Sequence, residues 1–168
     1  MHYYDFYASP HGQMLLVAEG EGLSGVYFEG QKYHPQIGAE WRRDARHAPL
    51  CQAKVELAEY FAGARERFET ALAPVGTPFQ QSVWKAISTV GFGKTITYSE
   101  LARRAGCPGS ARAAGAATGR NPLTIIVPCH RIVGSTGSLT GYAGGLARKR
   151  ALLELESGIP DLLAACRN

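Results

Sequence analysis

The sequence predicts an α+β protein of two parts: a small antiparallel three-stranded sheet with helices over residues 1–76, packed on a helix-turn-helix domain over residues 77–168. Three observations carry that prediction. Strand-like alternation is confined to the first thirty residues, where Tyr4, Phe6 and Tyr7, then the run 14–17, then the run 23–28 are separated by Pro10-His11-Gly12 and Glu19-Gly20-Glu21-Gly22. After that, apolar residues recur at helical spacing. The charge also changes sign between the two parts: seven Lys and Arg against ten Asp and Glu through residue 75, a net of −3, then eleven against four, a net of +7.

In the first part, residues 30–48 are polar and irregular, and Leu50, Lys54, Leu57, Ala58 and Phe61 then mark a helix stopped by Gly63. Nothing in this part looks chemical. His2, His11, His34 and His47 sit among polar neighbours without ligand spacing and are expected at the surface.

The second part opens on Thr77-Pro78-Phe79-Gln80, which combines a capping hydroxyl, Pro at the first helical position and Gln three residues on. That helix should run through Val83, Trp84 and Ile87 until Gly91-Phe92-Gly93-Lys94 breaks it. A short helix from Ser99 or Glu100 to about Ala105, the turn Gly106-Cys107-Pro108-Gly109, and a helix over 111–118 capped by Ser110 make a helix-turn-helix. Its second helix carries Ala111, Ala113, Ala114, Gly115, Ala116 and Ala117, so it has almost no reach toward base edges. Such a smooth helix can press its backbone against a groove wall and insert its one long side chain, Arg112, as a wedge. Equally, its small residues can serve to pack against neighbouring helices.

Asn121-Pro122 ends that helix, and the apolar run 123–127 is predicted as a short buried strand. It delivers Pro128-Cys129-His130-Arg131; the turn at 134–137 and a final amphipathic helix over 146–156 follow. Cys129 is thereby held rigidly where a strand meets a Pro-initiated turn. A free thiol is only a few per cent ionised at neutral pH, and an imidazole can accept its proton. Neighbours in an extended strand point to opposite faces, so His130 can serve Cys129 only if the chain turns there or a water bridges the two.

Composition bounds the rest. With 168 residues and 45% hydrophobic content the chain can bury a real core. No run approaches the ~20 apolar residues of a membrane span, and the start at Met1, His2, Tyr3, Tyr4 and Asp5 lacks the basic-then-apolar order of a secretory signal, so a soluble cytoplasmic protein with no membrane partner is expected. Cys51, Cys107, Cys129 and Cys166 fall in no metal-ligand spacing and are read as reduced thiols, with Cys166 and the tail from Ser157 to Asn168 uninformative. The clustered positive charge of the second part is the footprint of a polyanion partner, and equally the mark of a salt-tolerant solvated surface.

The segment Ile126-Val127-Pro128-Cys129-His130-Arg131-Ile132-Val133 resembles the signature of the O6-alkylguanine-DNA alkyltransferases, also called methylated-DNA–protein-cysteine methyltransferases. The resemblance runs from residue 77 to about residue 156 and includes Phe79-Gln80-Gln81, Trp84-Lys85, Tyr98, Ala111-Arg112-Ala113, Asn121-Pro122 and Gly141-Tyr142. The first part resembles the family only in size and layout, a three-stranded sheet with helices of ribonuclease H-like arrangement.

The resemblance implies a winged helix-turn-helix that approaches the minor groove of double-stranded DNA as a monomer, with Arg112 replacing a flipped guanine and Ser110, Ala111, Ala113 and Thr95 as further DNA contacts. It implies a Cys129 thiolate as alkyl acceptor, His130 as base through water, Glu156 orienting the histidine, and Asn121 bracing the turn. Glu156 could instead be a helix-end charge and Asn121 merely a helix stop. Tyr98 and the Ala143 N–H would donate toward O6, in a pocket completed by Ile132, Tyr142 and Gly144. Some members have serine where Ala143 stands, which removes any side-chain hydroxyl there; glycine at 144 leaves room for adducts larger than methyl.

The thioether product and the lack of a resolving cysteine beside Cys129 imply a single-turnover, stoichiometric transfer with no metal or organic cofactor. Zinc occurs in the first segment of some relatives, but Cys51, His34 and His47 make no convincing set here. O6-alkylguanine is the implied substrate, with O4-alkylthymine as a further candidate. Three rivals compete. An alkyltransferase-like sensor lacks the cysteine; a thiol hydrolase or peroxidase leaves Arg112 and the alanine-rich helix without purpose; a transcription regulator with so short a reach specifies sequence poorly.

Overall fold

The protein is described here by a computed structural model covering residues 1–158. Cys166 and the tail beyond Gly158, which the sequence leaves uninformative, lie outside the described residues.

The first part forms the expected meander: β1 (His2–Ser9), β2 (Gly12–Glu19) and β3 (Gly22–Phe28) pair antiparallel in sequence order. One strand more is present than the sequence predicts. β4 (Arg42–Arg43) pairs parallel to β1, Tyr3 opposite Arg42, so the sheet is mixed with the order β3-β2-β1-β4. A two-residue strand of arginines has no periodicity to read. It is fixed by tertiary contacts: Arg43 Nε donates to Asp5 Oδ1 at 3.0 Å, and Trp41 stacks on His2 with centroids 4.9 Å apart.

Helix α1 (Ala48–Phe61) covers the sheet with Leu50, Ala53, Leu57 and Tyr60, and the left-handed Gly63 (φ 76°) follows its end. The predicted surface histidines are all at least partly exposed; His47 also accepts a stacking contact from Tyr3 and pairs its ring with the Gly20 carbonyl at 2.8 Å.

The second part contains α2 (Pro78–Ile87), α3 (Tyr98–Arg104), α4 (Ala111–Gly119) and α5 (Leu146–Ser157), with a parallel pair of short strands, β5 (Ile96–Thr97) and β6 (Ile132–Val133), beside α3. The capping box at α2 is complete: Gln80 N donates to Thr77 Oγ1 at 3.1 Å and Thr77 N to Gln80 Oε1 at 3.0 Å. Thr77→Ala is expected to cost about 1 kcal/mol in urea unfolding; an unchanged midpoint would show that Pro78 alone sets the helix start. α3 begins a residue or two earlier than predicted because Thr97 caps it, accepting from Glu100 N at 3.2 Å. Ser110 stands at the N-cap of α4 but makes no side-chain cap.

The packing expected of the alanine-rich helix is seen on one face, and the opposite face is open. Ala114, Ala117 and Thr118 are buried against the neighbouring helices, and Trp84 Nε1 of α2 donates to the Ala117 carbonyl at 2.9 Å. Arg112, Ala113 and Ala116 stay exposed.

Residues 123–127 are buried as predicted but do not form a strand. They make a tight turn in which Val127 N donates to Leu123 O at 2.8 Å and Ile125 is held left-handed at φ 73°. A β-branched residue enters that region only when its surroundings over-determine it. Here they do. Asn121 Nδ2 donates to Val127 O at 2.8 Å, its Oδ1 accepts from Leu123 N at 2.9 Å, and Val26 of β3 is hydrogen-bonded to Pro122 O and Thr124 N at 2.8 and 3.1 Å. The sheet edge of the first part thus anchors the turn that leads to Cys129. Among the described residues no helix is long and apolar enough to cross a membrane.

Candidate active site and nucleic-acid interface

Cys129, His130 and Arg131 form a single 3-10 turn after Pro128, so the chain turns there, one of the two arrangements that would let His130 serve Cys129. Cys129 is 6% exposed, and that exposure opens into a cavity of about 810 Å³. Its walls come from four places: Phe79 and Gln80 of α2, Tyr98, Ala113 and Ala116 of the helix-turn-helix, Tyr142 and Ala143 from residues 134–145, and Lys32 and Tyr33 from the first part.

Behind the sulfur lies a buried polar hub centred on Glu156, at the end of α5. His130 Nε2 pairs with Glu156 Oε2 at 2.5 Å, Arg131 donates from Nε to Oε1 at 2.8 Å and from its terminal nitrogen to Oε2 at 3.0 Å, and Tyr60 donates its hydroxyl to Oε2 at 2.6 Å. Burial pushes the carboxyl upward, but the hydrogen bonds from His130 and Arg131 override it and hold Glu156 at about 2. Glu156 is therefore an acceptor only, which places the His130 proton on Nε2. The other ring nitrogen, Nδ1, is buried without a partner and keeps its lone pair. Burial also lowers the His130 pKa, keeping the ring neutral.

Burial raises the Cys129 thiol, outweighing the Asn121 amide, the Lys149 charge and the backbone N–H that favour the anion. In the free protein the sulfur carries its proton. Tyr98, likewise raised by burial, keeps its hydroxyl proton and donates it to Thr140 O at 3.2 Å. The Tyr142 hydroxyl is buried, also without a partner, and burial raises its pKa so that it keeps its proton.

Cys129, His130, Glu156, Asn121 and Tyr98 are thus brought together, with Tyr142 and Ala143 on the cavity wall. Ile132 and Gly144 are buried off that wall. A side chain at Gly144 would meet the Tyr142 ring at 2.8 Å and Phe28 at 3.3 Å, so bulk there acts on the cavity only by displacing Tyr142. Arg112 and Ala113 are exposed on the first turn of α4, next to Ser110 and Ala111, and Thr95 is exposed just before β5.

Three contributors were not found in the sequence. Tyr60 comes from the part in which nothing looked chemical. Lys149, which resembles a solvated charge in an Arg148-Lys149-Arg150 cluster, is fully buried and donates Nζ to Ile132 O at 2.6 Å and Thr140 O at 2.8 Å, tying down residues 134–145; burial lowers it to about 8. Arg131 is the third. Because Arg131 and Lys149 are internal and Arg103 and Arg104 share Glu100, the positive charge of the second part is only partly a surface feature. α5 therefore buries charge as well as Leu152, and is less simply amphipathic than predicted. Among the described residues no group of three or more His, Cys, Asp or Glu side chains is placed to hold a metal ion.

Two family models match the chain: the ribonuclease-like domain of 6-O-methylguanine DNA methyltransferase over residues 2–74 and its DNA-binding domain over residues 78–158. The methylated-DNA–protein-cysteine methyltransferase of Methanosarcina barkeri is 46% identical over 154 residues, 92% of this chain and 96% of that protein. The chain belongs to this methyltransferase family. Its relative of the same name in Mycobacterium tuberculosis is 47% identical over 148 residues, 88% of each chain. The crystal structure of the Mycobacterium tuberculosis O6-methylguanine methyltransferase superposes with a TM-score of 0.86 at 45% identity, covering 94% of both chains. That of Mycobacterium tuberculosis OGT in complex with DNA gives 0.86 at 43% identity, covering 96% of this chain and 98% of that one. The methyltransferase assignment therefore extends over both parts of the chain, including the first, where sequence signals were weakest.

Proposed function

We propose that this methyltransferase repairs alkylated DNA by moving the alkyl group from O6 of guanine to Cys129, once per molecule. The observation that carries the proposal is a buried thiol facing an 810 Å³ cavity beside the helix-turn-helix, backed by a neutral imidazole with a free lone pair. DNA is the partner. α4 lies in the minor groove, Arg112 fills the gap in the stack, and the everted base enters between Tyr98 and Tyr142. Extrusion costs a few kcal/mol, less where damage has weakened pairing.

The chemistry follows from the hub. A water between the Cys129 sulfur, the Tyr142 hydroxyl and His130 Nδ1 carries the thiol proton to the imidazole, and Glu156 stabilises the resulting cation. The sulfur attacks the alkyl carbon, the S–C bond forms, the C–O6 bond breaks, and its electron pair goes to the guanine. Tyr98, released from Thr140, and the Ala143 N–H meet that negative charge. The thioether is stable and has no neighbouring thiol to reverse it. The cavity is large enough for substituents bigger than methyl, and O4-alkylthymine presents the same alkyl-oxygen bond. All of these groups come from one chain, which supports action as a monomer, and a DNA partner supports a place in the cytoplasm, on the nucleoid.

Incubation with a duplex containing O6-methylguanine is expected to add one methyl group to the peptide bearing Cys129, and Cys129→Ala to abolish transfer while retaining DNA affinity. A lesion sensor predicts binding without a mass change, and a thiol hydrolase predicts neither; either result overturns the proposal.

A further inference from the structure

We infer that Tyr60, contributed by the first part of the chain, is a positioning residue for the transfer chemistry: its hydroxyl, bonded to Glu156 Oε2, restrains that carboxylate so that His130 stays neutral with Nδ1 free to accept a proton. The inference rests on the role proposed for His130.

Tyr60 lies in α1 and is fully buried. Its ring packs against Phe61, Phe68 and Phe92, with centroids 5.4, 5.6 and 6.3 Å away. The hydroxyl reaches across to Glu156, 96 residues later, at 2.6 Å. The oxygen it meets is the one that pairs with His130 Nε2 at 2.5 Å and accepts from Arg131 at 3.0 Å. Three donors on one oxygen divide its electron density. Each draws charge from the carboxylate and weakens its pull on a second imidazole proton.

The other oxygen is also occupied, by Arg131 Nε at 2.8 Å and the Gly93 N–H at 3.4 Å. The remaining groups around the imidazole act in the same direction or are neutral. Arg131 of the 3-10 turn and Lys149 of α5 are cations that oppose its protonation. Cys129 and the Tyr142 of residues 134–145 are buried protonated groups. Tyr60 is the one donor to Glu156 that comes from the first part, among the described residues, so this bond makes the proton acceptor depend on the domain that carries no reacting group.

Removing the hydroxyl while keeping the ring separates this role from packing. In Tyr60→Phe the carboxylate becomes more basic and His130 easier to protonate. Imidazole NMR titration without DNA should show the His130 midpoint raised by about one pH unit. Transfer from an O6-methylguanine duplex should fall about three- to sevenfold near pH 6 and stay within about twofold near pH 8.5. Replacing Tyr60 by 3-fluorotyrosine, a stronger acid of nearly the same shape, should move the midpoint the other way, and serves if Tyr60→Phe folds poorly. An unmoved midpoint, or a loss of rate equal at all pH values, would mark the bond as a structural clasp and overturn the inference. Because the titration uses no DNA, it stands apart from the methylation of Cys129, whose failure would overturn the repair proposal instead.

Discussion

Replacing Glu156 with alanine is expected to destabilise the protein by about 3–5 kcal/mol in denaturant unfolding, the largest stability effect of any single substitution proposed for it. The cause is the cation left behind. Arg131 is buried, with Nε and one terminal nitrogen on Glu156 and the other terminal nitrogen on the Val90 carbonyl at 2.6 Å. Without the carboxylate its charge has no counterpart, and the Tyr60 hydroxyl and His130 Nε2 lose their partner as well. The same group sets an acid limit on stability. Its carboxyl is held at about 2 against an ordinary 4.5, so the stabilisation it brings is fully present above 4.5 and is lost as the pH falls from there toward 2. The unfolding free energy of Glu156→Ala should accordingly be flatter across that interval. A variant as stable as the parent, with the same acid slope, would show that the hub contributes nothing to folding.

Arg112→Ala is expected to slow transfer from duplex DNA about a hundredfold while changing transfer from free O6-benzylguanine by less than about threefold. The side chain is exposed on the first turn of α4, on the face opposite the residues that pack, so its removal disturbs neither the core nor the hub. What it removes is the filler for the space the everted base leaves, a cost paid only by a base that starts in a stack. Equal losses on both substrates, measured as single-turnover rates, would place Arg112 in the pocket chemistry and contradict its assignment as a wedge.

What the sequence made legible was local. The capping box at Thr77 and Gln80, the helix-turn-helix spacing and the Cys129-His130 adjacency each lie within a few residues, where chain geometry alone brings the groups together. What it hid was made by the fold. Tyr60 and Glu156 are 96 residues apart, and neither has a neighbour that announces the other. Lys149 looks solvated until three backbone carbonyls are found around its ammonium. The run 123–127 reads as a strand because short apolar runs are ambiguous between extended and turned backbone, and only the Asn121 bonds decide it. The two residues expected in the pocket and found off it are Ile132, three residues after Cys129, and Gly144, next to Ala143, and proximity along a strand or loop does not fix which way a side chain faces.

The bonds between Val26 and residues 122–124 also bear on how the molecule behaves in company. They occupy backbone groups on the outer margin of β3 that would otherwise be free to template a strand from another copy. Internal docking therefore does double duty, fixing the reactive turn and blunting a sticky border. A fragment cut near residue 76 would regain that border, and colloidal trouble with it.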